Sequence, residues 1–261
     1  MRTTDMADEL FSAAAQPLPA GVRLATARHG GVTVTRVEIA REGLSRPRGR
    51  YVTLEMPSVS VLDERDTDVI ETGAAELRAL LPPEGPVLVL GIGNRRVTAD
   101  ALGPRTAQKI LVTMGPQHTL PVRGIRPVAA LAPGVSGDTG LTLRQLAAAM
   151  VDAVRPAALI CVDSLCSAEA ARLGRTIQFS DTGLHPADAR HARHLDAAAL
   201  GVPVIAAGIP TLMDADEGAD LVLTPRALDS VIAHGSALLA GILNRALQPR
   251  LSVAQLCWLT G

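Results

Sequence analysis

The chain predicts an α/β fold: a three-layer α/β/α core with a mainly parallel sheet, plus a β-rich N-terminal extension packed on it. Two observations carry that prediction. From Val87 onward, short apolar runs alternate with helical stretches, the pattern of β-α-β units. Two of those runs, Val87 to Leu90 and Ala158 to Val162, contain no polar residue apart from a cysteine and read as strands buried on both faces. The first third differs, because Val32 to Ile39 and Tyr51 to Met56 alternate apolar and polar residues, as half-buried strands do.

In chain order, residues 4–15 form an amphipathic helix stopped by Pro17 and Pro19. The two alternating strands follow, joined as an antiparallel pair by a loop holding Gly43, Pro47 and Gly49. A surface helix runs from Asp63 to Leu81 and ends at Pro82 and Pro83. Next come the Val87 strand, a helix over Arg105 to Leu111, and a strand over Val128 to Leu131 that runs into the glycine-rich loop Ala132 to Gly140. The helix Leu143 to Val154 is closed by Pro156, the strand Ala158 to Asp163 ends in an acid, and Thr176 to Phe179 and Val202 to Gly208 supply two more strands. Helix from Pro225 to Leu247 completes the core. The expected organisation is one domain: residues 1–84 as helix and β-rich extension, 85–249 as α/β core, and 250–261 as a tail.

Composition narrows the function. A net charge of -1 supplies no general attraction to nucleic acid or anionic membrane. The four aromatics, Phe11, Tyr51, Phe179 and Trp258, offer no platform for stacking bases. No uninterrupted apolar run reaches the roughly 18 to 20 residues of a membrane span, and Asp5, Asp8 and Glu9 stand where a signal peptide would be basic and apolar. A cytoplasmic protein acting on a small molecule or another protein is expected. Cys161, Cys166 and Cys257 are an odd count with no paired spacing, so they read as buried thiols rather than a disulfide framework or zinc knuckle.

The chemistry gathers at strand ends. In open parallel sheets ligands bind in the crevice beyond the carboxyl ends of the strands. Asp100 follows the Val87 strand by a short glycine-containing turn, and Asp163 closes the Ala158 strand. Gly91-Ile92-Gly93 begins like a dinucleotide fingerprint, but Arg96 stands at the third glycine position and no acid follows about 20 residues beyond the strand. If the two strands are neighbours, Asp100 and Asp163 face one crevice and can hold a single proton between them. Such a pair supplies a base for water and an acid for a leaving amine. The bland alternative is that each acid caps a helix or binds backbone amides. Three other groupings are weaker. His185, His191 and His194 with Asp188 have metal-ligand spacing, but Arg190 and Arg193 among them would repel a cation. Gly134-Val135-Ser136-Gly137 lacks the spacing of a nucleophile elbow, and Cys166 reads as a small packed residue.

Several runs resemble the spore germination protease family. They are Gly91 to Asn94 with Val97 to Pro104, Ala132 to Gly140, Val162 to Leu165, Thr176 to Gly183, Gly201 to Ile205, Leu223 to Arg226 and Asn244 to Pro249, with Arg2 to Ala7 at the start. The resemblance covers nearly the whole chain. It implies an atypical aspartic endopeptidase that degrades small acid-soluble spore proteins during germination, a homotetramer in the spore core, made as a zymogen. It places the catalytic aspartates on Asp100 and Asp163, with Gly93, Asn94, Gly134, Ser136, Gly137, Ser180 and Asp181 shaping the substrate site. No metal and no cofactor are expected, nor a nucleic-acid or membrane partner. The implied fold is shared with the hydrogenase maturation peptidases, so a nickel-dependent peptidase is the nearest rival, and a catalytically silent binding protein is the second. Two stretches depart from the family pattern: Ser164 to Glu169 stands where the family has Ala-Leu-Ala-Ala-Arg-Ser, and residues 187–194 replace a glycine-rich loop. Because the chain opens almost at the run that follows the family's pro-segment, control by cleavage is expected to be absent or different.

Overall fold

The computed structural model describes residues 3–12, 17–63, 65–115, 124–185, 194–215 and 221–260. Nine strands are described: β1 Val22–His29, β2 Val32–Ile39, β3 Gly49–Glu55, β4 Val87–Gly91, β5 Val128–Leu131, β6 Ala158–Cys166, β7 Thr176–Ser180, β8 Val204–Asp214 and β9 Val222–Leu223. They lie in the order β1-β2-β3-β7-β8-β6-β4-β5, with β9 added to β8. The sheet is mixed. β5, β4, β6 and β8 are parallel, whereas β1, β2, β3, β7 and β8 pair antiparallel.

Two expectations are corrected here. The sheet is not mainly parallel, because nine residues, 167–175, link β6 to β7; that is too short for the dozen or more residues of a parallel crossover. Nor is the N-terminal third packed on the sheet. It continues the same sheet edge to edge, with Tyr51 opposite Ser180 and Leu54 opposite Ile177.

The helices follow from local chemistry. α1 is Ala7–Ser12, and α2, Thr67–Leu80, buries Val69, Ile70, Gly73, Ala74, Leu77 and Leu80, a three-four spacing that makes one apolar stripe. α3 is Leu102–Ala107, three residues earlier than expected because Pro104 sits in the first turn, where its missing N–H has no partner to lose. α4, Ser136–Thr139, is a single turn inside the glycine-rich loop. α5, Leu143–Val154, has the expected limits: Thr142 and Gln145 form a reciprocal capping box, and Arg155 leaves the helix at φ +49 just before Pro156. α6 is Ala197–Leu200. α7, Leu228–Leu247, is long and apolar enough to cross a membrane. It is instead the helix buried in the main core, with Ile232, Leu238, Leu239, Ile242 and Leu243 fully enclosed. α8, Val253–Thr260, occupies the stretch expected as a tail and packs on α7.

Strand alternation sends the apolar residues of β4 and β6 to two cores. Val87, Val89, Ile160 and Val162 join α2, α3 and α7 on one face. Leu88, Leu90, Leu159 and Cys161 join Ala147 and Val151 of α5 on the other. β1 alternates weakly and has arginines at both ends; pairing with β2, rather than its own pattern, makes it a strand.

Candidate active site

β4 and β6 are neighbours in register, Gly91 opposite Val162, so Asp100 and Asp163 lie at the same end of adjacent strands. The seat of Asp100 is built from glycines. Gly93 has φ +124, and a Cβ there would stand 2.0 Å from the Asp100 carbonyl oxygen; a side chain is excluded by backbone conformation and by space. The Asn94 N–H donates to Asp100 Oδ2 at 2.7 Å, and Asn94 Oδ1 accepts from the Arg96 N–H at 2.9 Å. The short 3-10 turn Thr98–Asp100 then enters α3, whose Gly103 would press a Cβ to 2.3 Å from the carbonyl oxygens of both Ile92 and Val162. The Thr211 hydroxyl of β8 donates to the Ala99 carbonyl. The turn that carries Asp100 is thereby clamped against three strands.

Asp163 is 5 % exposed, and its Oδ1 accepts from the Ser164 N–H at 2.8 Å. It opens onto a cavity of about 50 Å³ lined from β6 by Asp163, Ser164 and Leu165, from β7 by Gln178 and Ser180, and by Tyr51, Asp5, Arg46 and His185. At roughly 10–15 Å³ per water centre this is room for a few water molecules. Asp100 does not line the cavity. Alternation puts the Asp163 side chain on the α5 face with Leu159 and Cys161, whereas the Asp100 turn leads into Leu102 on the α7 face.

The walls come from the antiparallel part of the molecule. Arg46, 7 % exposed, donates from Nη1 to the His185 carbonyl at 2.7 Å and from Nη2 to the Thr4 carbonyl, and pairs with Asp5 Oδ1 at 3.4 Å. Asp5 brackets Cys166: its N–H donates to the Cys166 carbonyl and its Oδ2 accepts from the Cys166 N–H, each at 2.8 Å. That bracket sits where the β6–β8 ladder shifts register. Gln178 holds the next residues, accepting from the Ala7 N–H and donating to the Asp5 carbonyl. Burial pushes the Tyr51 phenol above its ordinary value, against the lowering effect of Thr182 and Arg46. Burial first, and Asp5 and Asp214 after it, push the Cys166 thiol up to about 12, so Cys166 is a neutral thiol at pH 7 and not a nucleophile.

The other residues singled out from sequence are distributed around this centre. Ser180 lines the cavity. Asp181 does not; both its oxygens are taken by Arg50, from the N–H and from Nε, each at 2.7 Å. Gly134, Ser136 and Gly137 lie around α4 away from the cavity, connected to the Asp100 loop through Arg96 Nη1 and Asp138 Oδ1 at 3.3 Å. His185 donates from Nε2 to the Thr182 carbonyl and faces His194 Nδ1 to Nδ1 at 3.2 Å. His191 and Asp188 fall outside the described residues. Arg46 and Tyr51 carried no local signal for this role: Arg46 reads as one arginine in a loop, and its importance lies in contacts 41 to 139 residues away.

The geometry can be set beside known proteins. A family model described as germination protease matches residues 4–217. The chain is 32 % identical to a germination protease of Clostridium perfringens (strain SM101 / Type A), over 84 % of this chain and 86 % of that protein. It is 37 % identical to one of Bacillus velezensis (strain DSM 23117 / BGSC 10A6 / LMG 26770 / FZB42), over 78 % and 58 %. Among solved structures it is similar to a NiFe hydrogenase maturation protease, HycI from Thermococcus kodakarensis KOD1, with a TM-score of 0.43 at 16 % identity, covering 66 % of this chain and 98 % of that one. With the family model spanning most of its length, the chain belongs to the germination protease family of peptidases.

Proposed function

We propose that this chain is an endopeptidase that degrades small acid-soluble spore proteins, using water activated between Asp100 and Asp163. The supporting observation is the placement of a buried Asp163 beside a water-sized cavity, next to a strand whose glycine turn is shaped around Asp100. In this reading the shared water lies between Asp100, held by the Asn94 N–H, and Asp163, held by the Ser164 N–H. One carboxylate takes a proton as the water oxygen adds to the peptide carbonyl carbon. The other carboxyl gives its proton to the leaving nitrogen as the C–N bond breaks, so the products are a carboxylic acid and an amine.

Asp100→Asn and Asp163→Asn test the mechanism. Asn keeps the acceptor that the Asn94 and Ser164 N–H groups use, so both proteins should fold. Cleavage of a small acid-soluble spore protein, followed by mass of the fragments, should fall by at least about 100-fold in each. Wild-type rates in both would remove the acid pair, and activity that vanishes in chelator would move the reading to a metallopeptidase. The same reading takes the four parallel strands with helices on both faces as a three-layer core, and the protein as a homo-oligomer of the spore cytoplasm. Self-association is supported by apolar side chains left in solvent, Trp258 at 83 % exposure and Leu221 at 68 %.

A further inference from the structure

A second cavity, of about 430 Å³, lies at the other end of the parallel strands. Gly85 and Arg126, which border it, stand just before β4 and β5, whereas the Asp100 turn leaves the carboxyl end of β4. Its size falls within the roughly 300–1,000 Å³ of small-molecule sites. Leu81 and Leu247, 8 % and 1 % exposed, supply apolar surface, and the guanidinium-bearing residues Arg78, Arg126 and Arg250 border it.

Arg126 is fixed in advance. Its N–H donates to Gln248 Oε1 at 3.0 Å and its carbonyl accepts from Gln248 Nε2 at 2.8 Å. Its Nε donates to the Gly85 carbonyl at 2.8 Å and its Nη2 to the Glu84 carbonyl at 3.1 Å. Nη1 makes no hydrogen bond among the described residues, and neither Arg126 nor Arg78 has a carboxylate partner among them. Burial lowers the Arg126 guanidinium from its ordinary value, with no anion raising it back. Gly124, at φ +76, makes room for Arg250, since a Cβ there would stand 2.6 Å from its Cζ and Nη1. Glu84 is the one acid among the described lining residues. The carboxyl ends of α2 and α7, beside Leu81 and Leu247, add about half a negative charge each, so three arginines leave an excess of about one positive charge.

We propose that this cavity binds a small organic anion, an apolar body carrying a carboxylate or phosphate group, with the oxyanion held by Arg126 and Arg78 and the body laid on Leu81 and Leu247. A guanidinium fork matches the geometry of either oxyanion, and the apolar surface favours an organic ligand over a bare ion. The inference does not depend on the peptidase reading.

Isothermal titration of the full chain with phenyl phosphate, benzoate and inorganic phosphate tests this. At least one of the two organic anions should bind once per chain with a Kd of about 1 mM or below, and the tighter of them identifies the acid group. Inorganic phosphate, lacking the apolar body, should bind at least about 10-fold more weakly than phenyl phosphate. Arg78→Ala removes a side chain that makes no hydrogen bond among the described residues, so its melting temperature without ligand should match wild type. Its Kd for the organic anion should rise by about 10-fold or more, as should that of Arg126→Lys, which keeps the charge and loses the fork. No saturable binding of either organic anion up to about 20 mM, undiminished binding in either variant, or inorganic phosphate binding as tightly as phenyl phosphate would overturn the proposal.

Discussion

The parallel and antiparallel halves of the sheet hold the site in different ways. In the parallel half, the contact that seats Asp100 spans six residues, from the Asn94 N–H to the carboxylate, and depends on glycines that let backbone touch backbone. In the antiparallel half, the contacts that build the cavity wall span 139 residues from Arg46 to His185, 161 from Asp5 to Cys166 and 171 from Ala7 to Gln178. The acids are placed by local geometry and the walls by long-range pairing. Changes in the first half should therefore act on folding and chemistry together, whereas changes in the second should alter the cavity and its stability while leaving the seat of Asp100 in place.

The sharpest way to break the comparison is Gly103→Ala. A Cβ at 2.3 Å from two carbonyl oxygens can be admitted only if α3 lifts from β4 and β6, and we expect a loss of about 4 kcal/mol or more in urea unfolding, with cleavage abolished. A stable, active variant would show that the seat is not clamped. Next in size is Arg46→Ala. Removing one side of a nearly buried cluster takes the guanidinium away from Asp5 and from the Thr4 and His185 carbonyls and should cost about 3 kcal/mol, with KM raised more than kcat is lowered. Arg46→Lys should not rescue it, because one ammonium cannot reproduce the fork.

A smaller effect concerns the thiols. The Cys166 pKa is raised in the folded state, from the ordinary 9.0 to about 12, so its contribution to stability is complete below about pH 9 and lost as pH rises through 12. Iodoacetamide at pH 8 should leave Cys161 and Cys166 unmodified in the folded protein and react first with the half-buried Cys257, as read by peptide mass. Early alkylation of Cys166 would show that the Asp5 bracket opens. The smallest effect is expected from Arg96→Ala. Its ion pair with Asp138 is well exposed on both sides, and stability should change by less than about 1 kcal/mol; a larger drop would make the 134–140 loop an integral part of the Asp100 seat.

How much was legible in the residues follows the same division. β4, β6 and α5 were readable to within a residue or a few, because each is specified by its own composition: an unbroken aliphatic run, or a capping box closed by Pro156. That Asp100 follows β4 was readable for the same reason; Asp163, expected to close its strand, stands one residue past the level of β4's end while β6 continues to Cys166 along β8. β1 was missed, since Val22, Leu24 and Ala25 alternate too weakly among arginines and threonines to announce a strand. β8 runs to Asp214 although Pro210 lies inside it, because the register shift at Leu165 and Cys166 accommodates the break. Asp181 shows the limit from the other side: it lies inside a family-like run, yet Arg50 holds it at the β3–β7 seam.

The amino-acid order by itself determined the strand-turn-helix units and the two acids they carry, because hydrophobic periodicity, glycine freedom and helix caps act within a dozen residues. Tertiary structure alone decided that the N-terminal strands extend the same sheet and that Asp5 and Arg46 wall the cavity. Those outcomes depend on which distant segments meet, and a pairing between residues more than a hundred positions apart leaves no periodic trace in either segment.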